Sequence, residues 1–118
     1  MSETKQAETK QAGVTELTTE AFDEFVGQDG LTVVDFWASW CGPCIQMAPQ
    51  FEKAAGMRPD YHFAKVNVDE QPQLAARYQI SSIPTLAVMR DGELLGMAPG
   101  VVKARELVQA LDRLAEPS

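Results

Sequence analysis

Cys41 and Cys44 are the only two cysteines among 118 residues, and two residues separate them in Trp40-Cys41-Gly42-Pro43-Cys44. A run of strand-forming residues, Leu31 to Trp37, leads into this stretch, and a run with helical spacing leaves it. Both sulfurs are therefore expected where a strand hands over to a helix. The first amides of a helix have no internal partner and carry the positive end of the peptide dipoles. A thiol in such a setting ionises at about pH 3.5–7.5 rather than at about 8.5. The thiolate is the species that attacks a disulfide, so Cys41 is the candidate nucleophile.

Composition narrows what that chemistry serves. Two cysteines are too few for a disulfide scaffold, so the core has to hold the fold unaided. A length of 118 residues with 45% hydrophobic residues fits one ordinary domain. No apolar run approaches the roughly 20 residues of a membrane span, and Met1 to Gly13 lacks the apolar centre of a secretory signal. A cytoplasmic, reducing setting is expected, where such a cysteine pair is catalytic or metal-binding. Tetrahedral zinc takes four ligands, whereas the chain supplies two cysteines and one histidine, His62, which is expected at the surface. No metal site is therefore expected. Acidic residues outnumber basic ones, 17 to 10, for a net charge of −7. No basic patch of the kind that binds nucleic acid is visible, and solubility accounts for the excess of acid.

The elements that must position the thiols follow in order. Residues 1–13 carry a pentad duplication, Glu3-Thr4-Lys5-Gln6-Ala7 and Glu8-Thr9-Lys10-Gln11-Ala12, without a large apolar side chain. They are expected to be a disordered tail, because they cannot bury enough surface to offset ordering entropy. The domain is expected over residues 14–116. Val14 to Leu17 suits an edge strand, and Thr18 suits the cap of a helix starting at Thr19. Leu31 to Trp37 is apolar almost throughout, the pattern of a central strand covered on both faces. Asp35 is the exception within it, and a buried charge is costly unless paired. Cys44, Ala48, Phe51 and Ala55 share one face of the following helix, which Pro49 is expected to kink and Gly56, Pro59 and Asp60 to end. Phe63 to Val68 reads as a second buried strand. Asp69 is expected to cap a short helix that contains Pro72 and Leu74. Thr85 to Met89 and Glu93 to Met97 flank the hairpin signal Asp91-Gly92. Ala104, Leu107, Val108, Leu111 and Leu114 line a last helix. Strands separated by helices imply parallel pairing with right-handed crossovers. The expected fold is α/β, a mixed sheet of five strands with helices on both faces.

Val34-Asp35-Phe36-Trp37-Ala38-Ser39-Trp40-Cys41-Gly42-Pro43-Cys44, then Ala48-Pro49, Lys65-Val66-Asn67-Val68-Asp69, Ile83-Pro84-Thr85, Asp91-Gly92-Glu93 and Gly100 resemble the thioredoxin family. The resemblance spans about Val14 to Ala115 and implies the thioredoxin fold, a five-stranded mixed sheet flanked by four helices. It implies a general thiol–disulfide oxidoreductase that reduces protein disulfides and supports redox homeostasis. Thioredoxin reductase would recharge it with electrons from NADPH; the chain shows no nucleotide-binding glycine loop, so no cofactor is expected on it. By the same resemblance Cys41 attacks, Cys44 resolves, and the two alternate between dithiol and disulfide. Asp35 is the buried acid behind Cys44, with Lys65 near it, and Pro84 is a cis-proline facing the cysteines. Disulfide-containing proteins are the implied substrates, and a monomer is expected.

Each residue carries a second reading. Asp35 is either a core acid held by Lys65 or the proton acceptor for Cys44, because desolvation raises an acid's pKa towards neutrality. Pro84, on its residues alone, could be an ordinary trans turn proline. Trp40, Gly42, Pro43, Ile83, Pro84, Gly100 and Val101 would form a flat apolar rim that recognises extended chains. Trp37 either shapes the loop from beneath or simply fills core. Ile45 and Ser81-Ser82 depart from the family, where basic residues and a glycine are common, and they bear on partner choice. Two rival functions remain at this point: a binding module without redox turnover, and an oxidant or isomerase for exported proteins. The intact Cys41, Cys44 and Asp35 count against the first, and Gly42-Pro43 counts against the second.

Overall fold

The structure, a computed structural model, describes residues 9–116. Strands β1 (Thr9–Gln11) and β2 (Val14–Glu16) are followed by α1 (Thr19–Val26), β3 (Leu31–Trp37), α2 (Gly42–Met57), β4 (His62–Asn67), α3 (Pro72–Arg77), β5 (Thr85–Arg90), β6 (Glu93–Pro99) and α4 (Ala104–Ala115). The strands form one sheet in the order β1-β2-β4-β3-β5-β6. β3 lies inside it, parallel to β4 and antiparallel to β5, and Asp35 stands opposite Lys65 on one side and Leu86 on the other.

Strand alternation divides the core into two layers. Leu31 and Val33 point to the face covered by Met47, Phe51 and Ala54 of α2 and Leu107, Val108 and Leu111 of α4. Val34 and Phe36 point to the face covered by Ala21, Phe22 and Val26 of α1 and Leu74 of α3. Side chains two apart on a strand share a face, so Asp35 follows Val33 onto the α2 side. Capping and turn chemistry act where local sequence predicts them. The Thr18 side chain accepts the Ala21 N–H at 3.3 Å, which starts α1. Asp91 and Gly92 both take positive φ, 52° and 88°, as a two-residue turn between β5 and β6 requires.

The sheet has six strands rather than the expected five. The additional one, β1, lies within the stretch expected to be a disordered tail, so Val14–Glu16 is not an edge. Ala12 and Gly13 take φ of 54° and 80° and fold the chain back, and Thr9–Gln11 then pairs antiparallel with β2. A ladder of backbone bonds to an open edge needs no apolar side chain, which is why composition gave no sign of it. The first pentad copy and the start of the second lie outside the described residues. Three smaller differences follow from packing. Gln71, not Asp69, occupies the cap position of α3. α2 continues through Gly56 to Met57. Leu114 stays 38% exposed, because the last turn of α4 passes the edge of the core.

Candidate active site

Cys41 is the cap residue of α2, with extended backbone angles of −92° and 112°, and Gly42 and Pro43 open the helix. Its sulfur accepts the backbone N–H of Cys44 at 3.2 Å. That amide is one of the donors that a helix start leaves unpaired, so the sequence has placed a sulfur where positive potential gathers. Cys41 and Cys44 are joined as a disulfide with Cα atoms 5.2 Å apart. Both are nearly enclosed, and Ala38, Trp37, Val68 and Ile83 pack around them.

Most of the expected rim is brought together. The Ile83-Pro84 peptide bond is cis, and the Ile83 carbonyl oxygen lies 3.7 Å from Cys41 Sγ. Gly100, at φ 93°, donates its N–H to the Pro84 carbonyl at 2.8 Å, which brings the end of β6 beside this segment. Trp40 is 69% exposed and Val101 45%, while Gly42 and Pro43 are also open to solvent. Pro84 itself is buried, so it supports the rim from below rather than forming its surface. The Trp40 indole N–H donates to Asp69 Oδ2 at 2.7 Å. That contact was missed in the sequence, where Asp69 reads as a helix cap; no local pattern links residues 29 apart. The Asp69 and Glu70 N–H groups both donate to Asn67 Oδ1, which shapes the turn that carries Asp69.

Behind Cys44 lies a cavity of about 260 Å³ whose walls include Asp35, Trp37, Lys65, Glu52 and Gln11. Asp35 is 4% exposed, and its Oδ1 has no hydrogen-bond partner. Burial pushes its carboxyl from 3.8 up to about 7, and the positive charge of Lys65 pulls the other way. Lys65 does not form an ion pair with Asp35. Its ammonium sits 5.1 Å over the Trp37 ring instead, held by the ring's electron-rich face. Trp37 is half-buried with an unpartnered Nε1, so it both packs under the cysteines and orients Lys65. The arrangement suits proton exchange close to neutral pH at the second cysteine. Gln11 and Glu52 were not singled out in the sequence, and only the pairing of β1 and the face of α2 bring them here.

His62 lies away from this site, with Nε2 3.1 Å from the Asp29 carbonyl oxygen and its ring against Phe25. Among the described residues, no group of three or more histidine, cysteine or acidic side chains is arranged to hold a metal ion. Ile45 beside the motif is 65% exposed. Ser81 and Ser82 are exposed, and the Ser82 carbonyl accepts the Thr85 hydroxyl at 2.7 Å.

The family model described as thioredoxin matches residues 13–113. A thioredoxin of Staphylococcus haemolyticus is 41% identical over 104 residues, covering 85% of this chain and 96% of that protein. A thioredoxin of Mycoplasma pneumoniae is 40% identical over 90 residues, covering 76% of this chain and 88% of the relative. Among solved structures, a mutant thioredoxin from Halobacterium salinarum superposes with a TM-score of 0.83 at 27% identity, over 93% of this chain and 97% of that one.

Proposed function

The chain belongs to the thioredoxin family and is a protein thiol–disulfide oxidoreductase, and from that premise we propose how its residues divide the reaction. Cys41, as thiolate, attacks one sulfur of a substrate disulfide. A mixed disulfide forms, and the other substrate sulfur leaves as a thiolate that takes a proton from solvent. Asp35 accepts the Cys44 proton, and Cys44 then attacks Cys41 Sγ. The second substrate sulfur departs reduced, and the chain is left with the Cys41–Cys44 disulfide. Two electrons have passed from the dithiol to the substrate.

Extended substrate segments are read by Trp40, Gly42, Pro43, Ile83, Gly100 and Val101, with the backbone of Ile83 pairing to the substrate strand and Pro84 holding it in place. Lys65 and Trp37 tune the acid from behind. A flavoprotein thioredoxin reductase that draws on NADPH returns the disulfide to the dithiol. We read the chain as a monomer working in a reducing cytoplasm on protein disulfides, with no nucleic-acid or membrane partner; the charge of −7 argues against a nucleic-acid partner.

One observation carries the reading: the sulfur of Cys41 accepts a helix-start amide while Cys44 and Asp35 share one cavity. Insulin reduction followed by turbidity, with NADPH and a thioredoxin reductase, tests it. Cys41→Ser should abolish turnover. Cys44→Ser should accumulate a substrate-linked adduct visible on a non-reducing gel. Turnover by Cys41→Ser, or unimpaired turnover by Cys44→Ser, would reverse the assignment.

A further inference from the structure

The cavity behind Cys44 is walled by α2, β3 and β4 and, on one side, by β1 through Gln11. The family match begins at residue 13, so β1 precedes everything the thioredoxin family model covers. It is nonetheless built into the sheet. Thr9 stands opposite Glu16 and Gln11 opposite Val14, and the turn at Ala12-Gly13 closes the pair. Gly13 is pressed towards α2: a Cβ added there would lie 3.3 Å from the Ala55 Cβ. The register sets Gln11 in one row with Val14, Phe63 and Val33, two residues along the strands from the row that holds Lys65 and Asp35 and on the same face. Gln11 is exposed, so it marks the solvent side of the cavity, whereas its neighbour Lys10 lines a separate cavity with Phe25 and His62.

We propose that β1 is a strap across the cavity behind Cys44, and that Gln11 is a positioning residue that limits water at Asp35 and so sets the pH at which Asp35 ionises. Burial acts on this carboxyl more strongly than the opposing charge of Lys65 does, so an element that governs hydration acts on the larger of the two influences. Among the described residues, the charged and titratable groups that line Asp35's cavity or share its row are Lys65 from β4, Glu16 on β2, and Cys44 and Glu52 from α2, with Tyr61, Arg58 and Asp112 farther along the same α2–α4 layer. β5 contributes Leu86 and β1 contributes Gln11, neither of which titrates. The kinetic consequence rests on the reading of Asp35 as proton acceptor for Cys44; the electrostatic consequence does not.

Carboxyl carbon NMR of Asp35 in the full-length disulfide form tests the strap, because neither cysteine titrates in that state. Three strand spacings, about 14 Å, separate β1 from β3; a unit charge at that separation, at a dielectric between those of water and protein, moves an ionisation midpoint by about a third of a pH unit. Gln11→Lys should lower the Asp35 midpoint by about that much and Gln11→Glu should raise it. Gln11→Ala, which admits water without adding charge, should lower it as well. Lys10→Arg, which keeps the charge on the same strand with its side chain turned the other way, should leave it in place. A β1 that merely stabilised the sheet would change Tm in these variants and move no midpoint. Unmoved midpoints, or shifts of one sign for Lys and Glu, overturn the proposal. The rate at which Cys44 resolves a preformed mixed disulfide should follow each NMR midpoint across pH. NMR shifts that this rate ignores would uphold the strap and refute the role given to Asp35.

Discussion

Asp35→Asn offers a quantitative test of the buried acid. The carboxyl is raised from 3.8 to about 7, with burial as the main cause. One pH unit of displacement corresponds to about 1.36 kcal/mol between the two protonation states, so ionising Asp35 in place costs the fold about 4 kcal/mol. The sign follows from proton binding. The folded chain holds this proton more tightly than the unfolded chain, so stability is intact below about pH 4. It is lost progressively as pH rises towards 7, at up to about 1.4 kcal/mol per unit, and then levels off. Asparagine does not ionise and escapes the loss. It does bury an amide where Oδ1 now lacks a partner, a cost of about 1–3 kcal/mol that does not vary with pH. The quantity to measure is therefore the pH dependence of the difference between the two proteins. Urea unfolding of both disulfide forms at pH 4, 5, 6, 7 and 8 supplies it, because every other titrating group is common to both and cancels. The variant should gain about 4 kcal/mol relative to the parent between pH 4 and pH 8. A difference that stays level across that range refutes the raised carboxyl and, with it, the case for Asp35 as a base near neutrality.

Two further outcomes test the scaffold. Asp112 accepts from Arg58 Nη2 at 2.6 Å and from the Tyr61 hydroxyl at 2.7 Å, which ties α4 to the end of α2 and the start of β4, and these bonds hold its carboxyl down at about 2. The stabilisation it contributes is complete above about pH 4 and lost as pH falls through about 2, so Asp112→Asn should lower Tm at pH 7 and lose that deficit in acid. Phe51 is 2% exposed and meets Phe63 edge to face at 5.4 Å, so Phe51→Ala should cost about 3–5 kcal/mol in urea unfolding; a loss below about 1 kcal/mol would show that the α2 face is not the tight layer described.

Much of the site was legible because its signals are short-range. Thr18 caps a helix three residues from the amide it accepts, Asp91-Gly92 needs only its own backbone freedom, and Cys41 and Cys44 sit three positions apart on one turn. Asp35 announced its burial by standing in an apolar strand. The bond between Trp40 and Asp69 was not legible, because it joins two loops that only the neighbouring ends of β3 and β4 bring together. Lys65 stands opposite Asp35 in the register of β3 and β4, yet its ammonium turned to the Trp37 ring, a choice between two partners that spacing alone does not make.

By itself, the order of residues determined the thiol chemistry, the central strand and the helix that starts at the cysteines, because each depends on contacts within one or two turns of chain. Tertiary structure decided how far Asp35 is withdrawn from water and what closes the cavity behind it. Both depend on which strands lie side by side, and β1 joins the sheet through backbone hydrogen bonds, which side-chain composition does not reveal.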